Sequence, residues 1–438
     1  MTNQDWLTRS VHAVWHPCTQ MKCHETLPII PIRHAEGIWL TDFEGQRYLD
    51  AVSSWWVNLF GHGEPRIKSA IKQQLDQLDH VMLAGFTHTP VIELSERLAR
   101  LSGLGHAFYG SDGASATEIA LKMSFHYWHN QGKPEKCRFV SLENSYHGET
   151  IGALAVTDIP LFATTYSPLL KAGIRTPTPD SRLCHLGEDS QATAQRAARA
   201  LEAILATHAE HIAAIIVEPL VQGAAGMAMY HPDYLREARR LATQYHVHFI
   251  ADEIAVGFGR TGTFFAYEQA QIQPDILCLS KGITGGFLPL SCVLTHDAIY
   301  HAFYHDTLAR GFLHSHSYTG NALACRAALA VLDIFDEDQI LIKNQEKAKA
   351  FTTLFDPLRD HPAIQHFRHY GMIWAFDVMT ARPDFTPAFF HAMLTQGCLV
   401  RPINNTVYFM PPYCVEEEHI VHLVKATLRS LDAMRNTL

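Results

Sequence analysis

Three apolar runs near the middle of the chain each end on a reactive side chain. IAAIIVE stops at Glu218, HVHFIAD at Asp252 and DILCLSK at Lys281. Helical patterns such as YLREARRLATQYHV separate them. Short, continuously apolar strands alternating with helices predict a mostly parallel sheet covered on both faces, an α/β architecture. Ligands of open α/β sheets bind outside the carboxyl ends of the strands, where these three residues fall.

The chain has 438 residues, beyond the roughly 250–300 that one hydrophobic core serves. We expect a large domain over residues 61–328, built on that sheet, and a smaller α/β domain over residues 329–438. Residues 1–60 form an N-terminal segment joining the small domain. Within that segment the first residues look irregular, and GIWLTDFEGQRYLDAVSS reads as a hairpin or meander turning at Glu44-Gly45. Near the other end, CLVRPINNTVYFMPPY reads as two strands around the turn Asn404-Asn405.

Composition narrows the function classes. The formal net charge is −9 with no basic stripe, which argues against nucleic acid as a partner. No apolar run approaches about 18 residues and the N-terminus lacks a cleavage-like signal, so we expect a soluble cytoplasmic protein without membrane contact. Nine scattered cysteines without a CxxC pair favour reduced thiols over a disulfide scaffold. Of the 28 histidines, the pairs His301/His305 and His314/His316 lack a third ligand at a persuasive spacing, and no metal is expected.

The strand ends carry a specific chemistry. Lys281 precedes a loop with Gly282, Gly285 and Gly286, and burial there lowers the pKa of an amine and makes it nucleophilic. Asp252 places a short carboxylate whose position the backbone sets, with Glu253 as the alternative. Such a pair meets the needs of a pyridine cofactor held as an imine: an amine on its aldehyde carbon and an anion on its ring nitrogen. GSDGASATE, residues 110–118, opens a long helix, and the amides of Gly113 and Ala114 suit a phosphate. Tyr146, before His147-Gly148, suits the face of a ring. Of the adjacent Trp55 and Trp56, one belongs in a core and the other lines a substrate pocket. Arg260 in GFGRTG and Arg401 after CLV are candidates to bind a substrate carboxylate. Together these residues read as an aminotransferase that uses pyridoxal phosphate.

The segments HPCTQMK, DAVSSWWVNLFGHG, NSYHGET, EPLVQGAAGM, IADEIAVGFGRTG, DILCLSKGITGG, HSHSYTGN and LVRPINNTVYFMPP resemble those of the class III aminotransferases. The resemblance runs from about residue 12 to 430. It implies a fold-type I pyridoxal-phosphate transferase, with Lys281 as the imine-forming lysine and Asp252 at the pyridine nitrogen. It implies Gly113 and Ala114 at the phosphate and His316 and Ser317 beside the cofactor. Ser317 would reach the phosphate from a second subunit, so a homodimer with active sites at the interface is expected. Trp55 and Tyr146 would line the substrate site, Ser315 would lie near substrate and cofactor, and Arg401 would take the carboxylate of an oxo acid. The Ser-Ser-Trp-Trp pair and the late Arg-Pro are similar to the branch of the class that works in biotin synthesis. That implies transfer of an amino group from S-adenosylmethionine to 8-amino-7-oxononanoate. Four departures stand out. Cys18 replaces a common tyrosine, Ala114 a serine, Glu149 an aspartate, and Ser315-His316-Ser317 a Gly-Pro-Thr run. Lysine as donor to the same acceptor is the alternative, because lysine-using relatives share the Gln20-Met21-Lys22 and His316–Asn321 segments. Another ω-aminotransferase reaction, on ornithine or 4-aminobutyrate, is the other.

Overall fold

The computed structural model describes residues 1–27 and 29–434. Backbone contacts divide the chain into two compact units, Met1–Pro65 with Glu346–Leu438, and Arg66–Gln345. Residues 329–345, grouped above with the C-terminal domain, fall in the larger unit. They complete and follow the helix Ala322–Glu337, which packs on the helix Thr89–Ser102.

The smaller unit opens with a helix, Asn3–Ala13, where an irregular segment was expected. Its signal is the T-x-x-D spacing. Thr2 Oγ1 accepts from the Asp5 amide (3.2 Å) and the Asp5 carboxylate accepts from the Thr2 amide (2.7 Å), a reciprocal cap. The expected meander follows as β1 (Ile32–Glu36), β2 (Trp39–Asp42) and β3 (Arg47–Asp50), paired antiparallel in that order.

The larger unit holds β4 (His106–Gly110), β5 (Arg138–Leu142), β6 (Ile174–Thr176), β7 (Ile212–Val217), a short ribbon of β8 (Val221–Gln222) and β9 (Ala228–Met229), then β10 (His248–Asp252), β11 (Ile276–Leu279) and β12 (Ser291–Thr295). Seven of these form one sheet in the order β4-β12-β11-β10-β7-β5-β6. All neighbours are parallel except β12, which runs antiparallel to β11 and β4. Every residue of β7, β10, β11 and β12 is buried. This explains the unbroken apolar runs, since a strand covered on both faces has no polar side to show. One cover is the helix Gly113–Asn130, whose Ala116, Ile119, Ala120 and Met123 cluster with Ala214, Ile216, Ile250, Ile276 and Val293. Burying an isoleucine or methionine there contributes roughly 1.5–3 kcal/mol.

The smaller unit resumes with β13 (Ile364–Tyr370), β14 (Ile373–Val378), β15 (Cys398–Leu399) and β16 (Thr406–Phe409). The two strands expected around Asn404-Asn405 are present but are not partners. The amide of Thr406 donates to the Ile403 carbonyl and closes the turn. β16 then joins the antiparallel sheet β13-β14-β16, whereas β15 lies parallel to β3 in the sheet β1-β2-β3-β15. This parallel pairing joins segments far apart in sequence and sets Leu399 beside Asp50.

Candidate active site

Parallel pairing of β7, β10 and β11 brings Glu218, Asp252 and Lys281 out together at the carboxyl ends of central strands. Ala251 is in register with Val217, and Asp252 with Cys278. Asp252 is 4% exposed. Its Oδ2 accepts from His147 Nδ1 at 2.6 Å and its Oδ1 from the Ile254 amide at 3.1 Å. Both oxygens are thereby oriented, and the contact with Asp252 makes Nδ1 the protonated ring nitrogen of His147. His147 Nε2 is buried and has no hydrogen-bond partner among the described residues. The histidine is itself fixed by its amide on Thr157 Oγ1 (3.0 Å) and by its carbonyl, which accepts from Thr117 Oγ1 (2.7 Å).

Glu253 turns elsewhere. It is fully buried, and its two oxygens accept from the amides of Ala266 and Tyr267, both at 2.9 Å. Burial pushes its carboxyl up to about 8, against the pull of those amides. Of the two adjacent carboxylates, only Asp252 is held by His147.

Lys281 follows β11 in a left-handed conformation, φ 44°, unusual for a residue with a side chain. Burial lowers its ammonium pKa, and the negative charges of Asp252 and Glu218 oppose that shift. Glu218, a strand-end residue given no role from sequence, accepts from the amides of Tyr146 (3.0 Å) and Gly223 (2.9 Å). Desolvation raises its carboxyl to about 7, opposed by His147 and assisted by Asp252. The side chain of Tyr146 donates to Glu149 Oε1 (2.9 Å), and its ring meets Phe162 edge-on with centroids 5.7 Å apart.

The start of the helix Gly113–Asn130 closes on the same place. Asp112 caps it by accepting from the Ser115 amide (2.9 Å), and the amides of Gly113 and Ala114 have no acceptor among the described residues. A Cβ at Gly113 would lie 2.9 Å from Ile254 Cγ2, and one at Gly148 would lie 2.6 Å from Ala114 Cβ. The helix terminus, the His147-Gly148 turn and the Asp252–Ile254 segment are therefore in direct contact, with room at Gly113 for backbone only. An anchored carboxylate, a half-buried amine and two open amides at a helix N-terminus are the donor and acceptor set that pyridoxal phosphate requires.

Other expected residues have these surroundings. Arg260 is 1% exposed in this chain. Ser315 and Ser317 are exposed. The Ser317 carbonyl accepts from His80 Nε2 (2.7 Å), and His316 Nδ1 accepts from the Tyr318 amide (3.2 Å). The imidazole of His314 is paired with the Lys122 amine (2.9 Å).

In the smaller unit, the two tryptophans do not lie on a strand. Ser53, Ser54, Trp55 and Trp56 all have positive φ, between 45° and 72°, a turn of left-handed helix without a glycine. Each such residue costs roughly 1–2 kcal/mol, so the turn needs strong support. Asp50, 0% exposed, supplies it: its carboxylate accepts from the Val52 amide (3.3 Å), the Ser54 amide (3.0 Å), Ser54 Oγ (2.7 Å) and His62 Nε2 (2.9 Å). Trp56 goes into the core, 6% exposed, and donates from Nε1 to the Tyr408 hydroxyl (3.1 Å). Trp55 is 45% exposed, and the Arg401 guanidinium lies 4.9 Å from its ring centroid. Arg401 also donates to the Cys18 carbonyl (3.3 Å).

Comparison with known proteins agrees with this geometry. The chain matches the family Aminotransferase class-III over residues 20–431. It is 47% identical over 430 residues to the adenosylmethionine-8-amino-7-oxononanoate aminotransferase of Helicobacter pylori, covering 96% of both chains. It superposes on the crystal structure of the protein of that name from Methanocaldococcus jannaschii with a TM-score of 0.91, at 34% identity, covering 98% of this chain and 99% of the other. It also superposes on an amine transaminase from an uncultivated Pseudomonas species in a PLP-bound form, with a TM-score of 0.90 at 30% identity, covering 96% and 98%. The chain belongs to the class III aminotransferases, enzymes of fold-type I that depend on pyridoxal phosphate.

The Glu218 carboxyl gives a pH test. Because burial raises it, its contribution to stability is whole below about 4.5, the ordinary glutamate value, and is lost as pH rises through about 7. In the cofactor-free protein, the infrared carboxyl band that disappears in Glu218→Gln should titrate with a midpoint near 7. A midpoint near 4.5 would contradict the buried placement.

Proposed function

We propose that this enzyme transfers an amino group from S-adenosylmethionine to the ketone of 8-amino-7-oxononanoate, giving 7,8-diaminononanoate, and that it acts as a cytoplasmic homodimer. The observation that carries the acceptor reading is Arg401, an exposed guanidinium laid on an exposed indole. Such a group is preorganised to bind a carboxylate through two parallel hydrogen bonds. The names of the Helicobacter pylori and Methanocaldococcus jannaschii relatives support the same acceptor and donor.

Pyridoxal phosphate, when bound, supplies an electron sink for cleavage of the bond between hydrogen and the amine-bearing carbon. The chain's own residues divide the remaining work. Lys281 holds the aldehyde carbon of the cofactor and moves the proton at the donor carbon. Its lowered pKa keeps a share of the amine unprotonated for that task. Asp252, oriented by His147, holds a proton on the ring nitrogen. The amides of Gly113 and Ala114 bind the phosphate, and Tyr146 confines the face of the ring. Ser315, His316 and Ser317 complete the site from a second subunit. Support for that assembly is the exposure, in a single chain, of Tyr304 (75%), Leu308 (74%), Leu313 (68%) and Tyr318 (65%) around them. Apolar side chains so clustered in sequence fit a subunit interface.

Arg401→Ala should raise the KM for the keto acid by about one to two orders of magnitude, since a charge-assisted pair is worth roughly 1.5–3 kcal/mol. Cofactor loading and the donor half-reaction should change little. Equal losses in both half-reactions would contradict a role in acceptor binding. The donor is decided by single-turnover conversion to the pyridoxamine form at equal donor concentrations, where S-adenosylmethionine should outpace lysine. Cys18, which presents no aromatic ring, is the feature that favours lysine, and a tenfold faster reaction with lysine would transfer the donor assignment to it.

A further inference from the structure

Asp50 lies outside every motif named for the cofactor, yet its buried carboxylate accepts four hydrogen bonds. It closes β3, and β3 runs parallel to β15, so that Asp50 is in register with Leu399 and the amide of Ala51 donates to the Leu399 carbonyl (3.2 Å). The chain leaves β3 into the left-handed turn that carries Trp55. It leaves β15, through the buried Val400, into Arg401. Two segments remote in sequence thus exit side by side, and their first long side chains, Trp55 and Arg401, meet face to guanidinium.

What keeps them in contact is the turn. Left-handed backbone at four successive side-chain-bearing residues relaxes to ordinary backbone unless held. Two side chains of this unit hold it. Ser53 Oγ donates to the Met410 carbonyl (2.7 Å) and ties its start to the end of β16. The Asp50 carboxylate takes the Ser54 amide and hydroxyl. His62 then orients that carboxylate: Asn58 Nδ2 and His62 Nδ1 are 3.3 Å apart, which leaves Nε2–H to donate to Asp50. A ring nitrogen that accepts from one amide and a second that donates to a buried carboxylate form a chain of fixed polarity.

We infer that Asp50, with His62 behind it, is a positioning residue for acceptor recognition: it holds the left-handed turn so that Trp55 supports Arg401 in the orientation that binds the substrate carboxylate. The inference rests on the reading of Arg401 given above. Asp50 touches neither substrate nor cofactor and acts only through the turn.

The test uses holoenzyme labelled with 5-fluorotryptophan. Seven tryptophans are present, and the Trp55 resonance is the one absent from Trp55→Phe. In Asp50→Ala that resonance should move towards the position of a freely exposed indole. The KM for the keto acid should rise at least about tenfold while kcat at saturating keto acid and the donor half-reaction stay within about twofold. Asp50→Asn keeps an acceptor for the Ser54 amide and should recover most of both signals. His62→Ala removes one of the four contacts, so it should shift both in the same direction by less, and it serves if Asp50→Ala does not fold. The decisive comparison is the double variant Asp50→Ala with Arg401→Ala, which should bind keto acid no worse than Arg401→Ala alone, since residues acting through one group are not additive. Additive losses, or an unmoved Trp55 resonance with unchanged KM, would overturn the inference. If Arg401→Ala alone leaves the keto-acid KM unchanged, acceptor positioning falls together with the carboxylate reading. The fluorine signal would then show whether the turn or the arginine's role was misjudged.

Discussion

The hydrogen bond between His147 and Asp252 is the contact on which the catalytic arrangement depends. A carboxylate at 4% exposure is costly unless paired and oriented. Here one oxygen takes an imidazole N–H at 2.6 Å and the other a backbone amide. Fixing both removes the freedom of the side chain to turn away from the strand ends. The segment that carries His147 also carries Tyr146 and Gly148, so the same bond aligns the aromatic ring and brings the backbone against Ala114 at the start of the helix Gly113–Asn130. Glu218 adds a second acid beside it. Its carboxyl is pushed up to about 7 by burial, which limits the negative charge crowded around Asp252 and Lys281 near neutral pH.

The two units solve different problems with the same device. In the larger unit, parallel strands β7, β10 and β11 end together and deliver Glu218, Asp252 and Lys281 to one end of the sheet. In the smaller unit, parallel strands β3 and β15 end together and deliver the Trp55 turn and Arg401. In each case a buried carboxylate at a strand end, paired to a histidine, sets the geometry: Asp252 with His147, and Asp50 with His62. Each carboxylate is in effect a fixed post, and Asp50 holds the strained turn beside it directly. Lys281 and the Ser53–Trp56 turn are both left-handed without glycine.

How much of this the amino-acid sequence discloses depends on the range of the interaction. Lys281, Asp252 and the Gly113-Ala114 turn follow from local rules, because an unbroken apolar run that ends in a charge marks the end of a covered strand. The partner of Asp252 does not follow, since His147 is brought to it by tertiary contact alone. Glu218 stood in plain view as a strand-end charge, but nothing local told its burial from that of any other glutamate. The Trp55-Trp56 choice was open because alternation on a strand was assumed, whereas the backbone there is left-handed and only the tertiary bonds of Asp50 and Ser53 enforce it. The two strands and the turn around Asn404-Asn405 were legible, but their separate sheets were not, because β15 pairs parallel with a strand remote in sequence. GFGRTG marked a loop, but nothing local told that its arginine, Arg260, would be buried.

The central claim is that the carboxylate of Asp252, held by His147, keeps a proton on the ring nitrogen of the bound cofactor. The most direct measurement is the 15N chemical shift of ring-labelled pyridoxal phosphate in the holoenzyme, compared between the native protein, Asp252→Asn and His147→Ala. The ring nitrogen should be protonated in the native protein at neutral pH, unprotonated in Asp252→Asn, and in a weakened or mixed state in His147→Ala. A ring nitrogen that stays protonated in Asp252→Asn, or one that is unprotonated in the native enzyme, would contradict that claim.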